Sequence, residues 1–243
     1  MEYYRYLFHV SYDGTDYSGF QRQENSKSIQ GEIERALKGM TANSYTIHSA
    51  GRTDKGVHAL DQTFHLDLPF EIEIDKWIKG INFRLPSDIR INKIKQVDNR
   101  FHARHNAKFR VYEYKIAKKE SDIFNQRYEV YIENFNIELA IEASLKFIGT
   151  KDFTGFSKIS KDKEPIRTIT EISVKETKDY YYFKFVGISF LRYMVRSIMG
   201  TIIAVATDKM SIEVIDEIFE TKNRMLAGKT AEAKGLYFKK VIY

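Results

Sequence analysis

The sequence predicts a mixed α/β protein built from two subdomains. Three observations carry this expectation. β-rich alternation and helical periodicity follow one another through both halves of the chain, 243 residues suffice for one large domain or two small ones, and no Pro/Gly/Ser-rich linker separates the halves. Two subdomains sharing an extended sheet, residues 1–105 and 106–243, fit this pattern better than two independent beads.

The first half opens with β-rich Tyr3–Tyr12, stopped by the turn signal Asp13-Gly14. After Ser28, the residues Ile29, Ile33, Ala36, Leu37 and Met40 recur at helical spacing, which places Gln30, Glu32, Glu34, Arg35 and Lys38 on the solvent side. Thr63–Leu68 alternates as a strand, Asp75–Arg84 reads as a helix, and Ile89–Val97 alternates again, imperfectly. In the second half Phe109–Ile116 alternates as a half-buried strand, and Ile137, Ala140, Ile141, Leu145 and Ile148 mark a helix. Ile166–Val174 and Tyr180–Val186 form a hairpin pattern around Lys178-Asp179. Phe190–Thr207 predicts a long helix, Ile212–Phe219 a shorter one, and Leu236–Ile242 a closing strand. The lysine-rich stretch Ser157–Glu164 is expected to be a mobile loop.

Composition narrows the function. The longest apolar stretch, Ile198–Ala206, is interrupted by Gly200 and Thr201 and is far shorter than the roughly 20 residues that span a bilayer. The opening MEYYRYLFHVSYDG does not read as a signal peptide, so a cytoplasmic protein without membrane contact is expected. The absence of cysteine excludes disulfides, thiolate metal sites and cysteine nucleophiles together. Lys and Arg number 39 against 33 Asp and Glu, a net +6 that makes nucleic acid the first partner to test. The 16 Tyr and 17 Phe could serve base stacking, although strands and core account for most of them.

The segment Ser49-Ala50-Gly51-Arg52-Thr53-Asp54-Lys55-Gly56-Val57-His58-Ala59 is the most unusual. Gly51 and Gly56 have the spacing of a phosphate loop, but Val57-His58 follows where that loop requires Lys and then Ser or Thr. A short glycine-bracketed loop can instead project one carboxylate into a cleft, with Arg52 and Lys55 keeping it ionised and attracting phosphates. The same residues also fit an ordinary turn.

GRTDKGVHA closely resembles the signature loop of the TruA family of tRNA pseudouridine synthases. Further segments resemble that family in order: Ser11-Tyr12-Asp13-Gly14 through Gly19-Phe20-Gln21-Arg22-Gln23, Phe101-His102-Ala103-Arg104, Arg110-Val111-Tyr112-Glu113-Tyr114, Asp152-Phe153 with Phe156, Arg167-Thr168-Ile169, Phe190–Arg196 ending in Met-Val-Arg, and Gly235-Leu236-Tyr237. Lys229 and Glu232 stand where relatives often carry proline, which predicts a less rigid segment there.

The resemblance implies a pseudouridine synthase fold: two ferredoxin-like-derived subdomains, a mostly antiparallel sheet and a central active-site cleft. It implies isomerisation of uridine in the anticodon arm of tRNA, at positions 38–40, by a homodimer that needs no cofactor and no metal. Asp54 becomes the catalytic carboxylate, Arg196 the partner that holds it ionised and oriented, and Tyr112 the aromatic that stacks on the target base. Leu236 is expected to line the uracil pocket and Arg52 to grip a phosphate. Arg100, His102, Arg104, His105, Lys108 and Arg110 form a basic run interleaved with Phe101 and Phe109. Strand alternation lets only some of it face RNA, and Arg104 and Arg110 are the chosen candidates. His102 and His105 lack a third ligand in their neighbourhood of the sequence. Two other classes use similar residues: an Asp-dependent nucleoside or glycoside hydrolase, which needs a second acid, and a non-catalytic RNA-binding protein, which gives the Asp54 loop no purpose.

Overall fold

A computed structural model describes residues 3–158 and 164–243. In chain order the elements are β1 (Tyr4–Tyr12), α1 (Ile29–Thr41), β2 (His48–Ser49), β3 (His58–Leu68), α2 (Ile74–Arg84), β4 (Ile89–Val97), β5 (Phe109–Ala117), β6 (Val130–Tyr131), α3 (Ile137–Leu145), β7 (Gly149–Asp152), β8 (Ile166–Glu176), β9 (Tyr180–Gly187), α4 (Met194–Ala206), α5 (Val214–Thr221) and β10 (Leu236–Ile242). They form two compact units, one of Met1–Lys108 with Phe238–Tyr243, the other of Phe109–Tyr237. The mobile loop expected at 157–164 falls largely on residues 159–163, which lie outside the described residues. No helix among the described residues is long and apolar enough to cross a membrane.

In the first unit, β1 runs antiparallel to both β3 and β4, and β2 pairs with β3. The β1–β3 register sets Phe8 opposite Phe64, and the two buried rings stack at 4.8 Å. The helix expected after Ser28 begins there because the Ser28 side chain accepts the Gly31 amide, and it ends where Ala42 turns left-handed. Ile29, Ile33, Ala36 and Leu37 face inward as their spacing requires. Glu32 and Glu34, assigned to solvent by that spacing, are buried instead. Glu34 is 7% exposed and its carboxylate accepts from Arg22 (2.8 Å), Gln30 (2.9 Å) and the Ile47 amide (3.2 Å), so its burial is compensated.

In the second unit, β5, β9, β8 and β7 pair successively antiparallel, with β6 added parallel to β5. β8 and β9 form the expected hairpin. Phe147, Phe153, Phe156 and Phe219 meet edge-on or tilted at 4.9–6.4 Å and build a core beneath α5. The long helix expected from Phe190 starts only at Met194, since Tyr193 adopts φ +62° and its carbonyl accepts the Ser197 amide as an N-cap. Ten of the thirteen α4 residues are buried, which makes it the central helix of this unit.

The segment after α5 lies directly on α4. A Cβ at Gly200 would sit 1.9 Å from the Lys229 carbonyl oxygen, a backbone atom with nowhere to move. Gly200→Ala is therefore expected to destabilise the protein by about 1–3 kcal/mol, read as a lower urea midpoint. Gly39→Ala is the matched control: a Cβ there meets only Arg84 side-chain atoms at 3.6 Å. That substitution, inside α1, should stabilise by about 0.4–1 kcal/mol.

Candidate active site

The Asp54 loop enters β3 through a turn in which the Val57 amide donates to the Asp54 carbonyl (3.2 Å). Its neighbours are fixed one by one. Thr53 is buried, with its hydroxyl 2.8 Å from the Tyr12 phenol and its carbonyl accepting the Phe20 amide at 3.1 Å. Burial keeps the Tyr12 phenol well above its usual pKa, so it stays protonated. The Gly56 amide donates to the Tyr17 carbonyl at 3.3 Å. Gly14 lies so close that a Cβ on it would be 1.9 Å from the Val57 carbonyl oxygen. His58 Nδ1 is 3.2 Å from the Gly14 amide and 3.1 Å from Asp13 Oδ1. One ring nitrogen serves one of them at a time, and Asp13 Oδ1 already receives the Thr15 amide and hydroxyl. In the structure the Gly14 amide donates to that nitrogen. Asp54 itself is half-buried, while Arg52 and Lys55 beside it are exposed.

The basic run from 100 to 108 is held against this loop by apolar packing. Ala103 is fully buried in a cluster with Leu7 and Ala50, and Phe101, Val241 and Tyr243 pack on it. The Tyr243 phenol contacts the Thr63 hydroxyl (2.6 Å) and donates to the Ala103 carbonyl (3.0 Å). Arg104 is thereby brought near Arg52. Burial first, and then the Arg104 charge, hold the Arg52 guanidinium below the usual arginine range. Two exposed guanidinia close enough for one charge to act on the other suit a phosphodiester.

Sequence spacing missed the histidines that surround this run. His48 stacks on His65 at 5.0 Å, His65 meets His102 edge-on at 4.6 Å, and His102 contacts His105 at 4.2 Å. β2 and β3 supply the two that the local sequence lacked, yet among the described residues no group of three or more His, Asp or Glu is arranged to hold a metal ion. His65 is buried and its Nδ1 accepts the Ala103 amide at 3.2 Å.

In the second unit Arg196 lies in the first turn of α4. Its Nε donates to the Ala231 carbonyl (2.7 Å), the Ala231 amide donates back to the Arg196 carbonyl (2.9 Å), and its guanidinium carbon stands 5.5 Å from the Tyr193 ring centre. This arginine is anchored, unlike a freely solvated surface side chain. Tyr112 is buried on β5 with its ring edge-on to Phe190 at 5.1 Å. Leu236 is buried at the start of β10. Arg110 is only 8% exposed and donates to the Ile188 carbonyl at 2.6 Å. The segment expected to be looser for want of prolines is tied down by hydrogen bonds. The Gly228 amide donates to Thr201, Arg224 to Thr230, the Ala231 amide to Arg196, and Tyr114 to the Glu232 carbonyl, all at 2.9–3.1 Å.

The histidine contacts yield a pH prediction. Burial first, then the charges of Arg5, His102 and His48, lower the His65 pKa from 6.5 to about 4, against the raising influence of Asp67. A depressed histidine favours the folded state fully above its unfolded pKa, and that stability is lost as pH falls from about 6.5 to about 4. Urea midpoints should drop across this window, and His65→Gln should flatten the drop while lowering the midpoint at pH 7. An unchanged pH profile in the variant would show that His65 is not the responsible group.

The family model for tRNA pseudouridine synthase matches residues 9–106 and 143–243. The chain is 40% identical to tRNA pseudouridine synthase A of Streptococcus agalactiae serotype Ia over 98% of its length and 95% of the relative's. It is 39% identical to the enzyme of the same name from Phytoplasma mali over all of both chains, and 38% identical to that of Streptococcus thermophilus over 98% and 99%. With its mixed α/β units, mostly antiparallel strands and signature loop, the chain belongs to the TruA family of tRNA pseudouridine synthases, isomerases that convert uridine in tRNA to pseudouridine.

Proposed function

We propose that Asp54 is the carboxylate that starts the isomerisation, and that its substrate is uridine at positions 38–40 in the anticodon arm of tRNA. The observation that supports this most directly is a half-buried carboxylate on a loop whose neighbours Thr53, Gly56 and Val57 are each tied to residues 12–20. Such a loop holds one reactive group in place without ordering cost at the moment of reaction.

The reaction breaks the bond between uracil N1 and ribose C1′, turns the base, joins C5 to C1′, releases the C5 proton and protonates N1. It is redox-neutral. A carboxylate can begin it by adding to the ribose or the base, or by taking a ribose proton, and each route requires the ionised form. The nucleotide leaves its stack to reach Asp54, and contacts to the extruded base and its phosphates offset the unstacking. Arg52 and Arg104 are the exposed members of the proposed RNA-binding set. Arg110 and Leu236 are its buried members, offering a guanidinium edge and an apolar wall, and Tyr112 presents its ring to the base. We assign Arg196 to the same reaction, keeping the carboxylate ionised. A homodimer working in the cytoplasm completes the reading, which draws on the family resemblance.

Asp54→Asn should abolish tritium release from uridine labelled at C5 in tRNA while leaving tRNA affinity within a few-fold. Near-normal turnover would remove Asp54 from the mechanism. Arg196→Met, which keeps aliphatic bulk and deletes the donor fork, should damage the single-turnover rate more than binding. The two substitutions combined should be strongly non-additive; independent, multiplicative effects would separate Arg196 from the chemistry.

A further inference from the structure

The second unit carries a solvent-open groove of about 460 Å³ beside the start of α4. Lys158, Tyr193, Arg224, Met225 and Lys229 are its principal side chains, and among the described residues no acidic side chain lines it. Lys158 and Lys229 are exposed and make no ion pair among the described residues. Arg224 is the more telling cation. Its guanidinium donates to the Ser197 and Thr230 hydroxyls at 3.0 and 2.9 Å, meets no carboxylate among the described residues, and is held below the usual arginine range by burial. Three like charges around one groove repel one another, a cost that an anion in the groove would offset.

The floor fits a nucleotide as well as a phosphate. Tyr193 is a bulky residue at φ +62°, a strained conformation that persists where the surroundings impose it. Its ring lies 5.0 Å from the Arg192 guanidinium carbon, and Met225, 89% exposed, offers an apolar edge. Aromatic and guanidinium planes beside cations are the chemistry that holds an unstacked base and its flanking phosphates.

We propose that this groove binds the phosphodiester backbone of the RNA substrate outside the reacting nucleotide, with Lys158, Arg224 and Lys229 on the phosphates and Tyr193 beneath a base. The proposal rests on the reading of the chain as a tRNA-modifying enzyme, and an open groove suits a polymer that passes through it.

The test compares Lys158→Gln/Lys229→Gln with a control pair, Lys38→Gln/Lys209→Gln, whose lysines are exposed and outside the groove. The slope of log affinity for tRNA against log salt should become shallower by about 1.4–1.8 in the groove pair, from about 0.7–0.9 per phosphate contact, and stay unchanged in the control. A slope equal to the control's overturns the proposal. Lysine acetylation of the wild-type protein gives the second arm: tRNA should shield Lys158 and Lys229, whereas uridine monophosphate at the same nucleotide concentration should not. Equal shielding by the mononucleotide would make this a free-nucleotide site and overturn the RNA assignment. Tritium release by the wild-type protein is measured alongside. If it is absent while the slope still changes, the catalytic reading fails and the RNA groove stands.

Discussion

The absence of a side chain at Gly14 is the constraint on which the Asp54 loop depends. With 1.9 Å between a hypothetical Cβ and the Val57 carbonyl oxygen, the turn after β1 and the turn before β3 can only meet if residue 14 is glycine. That meeting brings Tyr12 to Thr53, Tyr17 to Gly56, and His58 back to Gly14. Each of these contacts satisfies a backbone or hydroxyl group that would otherwise be buried without a partner. The loop is thus specified by hydrogen bonds and close packing on both sides of Asp54, and the carboxylate inherits its position from them.

The second unit uses the same device at α4. Gly200 lets the 224–231 segment lie on the helix, and the reciprocal bonds between Arg196 and Ala231 then fix the arginine at its backbone and at Nε. Prolines are one way to stiffen such a segment; here a hydrogen bond from the Gly228 amide to Thr201, with others from Arg224 and Tyr114, holds it where Lys229 and Glu232 stand. Lys229 also places a cation on the rim of a groove that already holds Arg224 without a counter-ion among the described residues.

Periodicity made the elements legible. β4 and β10 occupy the ranges their alternation marked, and α1 starts at the residue after Ser28 because a capping hydroxyl is a local signal. What periodicity cannot express is a tertiary partner. Glu34 sits on a polar stripe by spacing, yet it is buried because Arg22, Gln30 and the Ile47 amide converge on it. The apolar run from Phe190 looks helical throughout, but the left-handed Tyr193 delays α4 to Met194. His48 and His65 reach His102 through strand pairing, and Tyr243 reaches Ala103 from the far end of the chain, so neither contact leaves a mark in local sequence. The motifs, by contrast, were legible as a set, and the family they resemble is the family that matches the chain.

We propose that Asp54 works because its loop is clamped. The single-turnover isomerisation rate of Gly14→Ala tests this most directly, since the substitution removes no functional group. With the variant confirmed folded by circular dichroism, the rate should fall by about 10²-fold or more, the scale of an ångström-level misplacement of a reacting group, while tRNA affinity stays within a few-fold. A wild-type rate in the folded variant would contradict the account, because it would show that Asp54 reacts equally well without the close approach of the two turns.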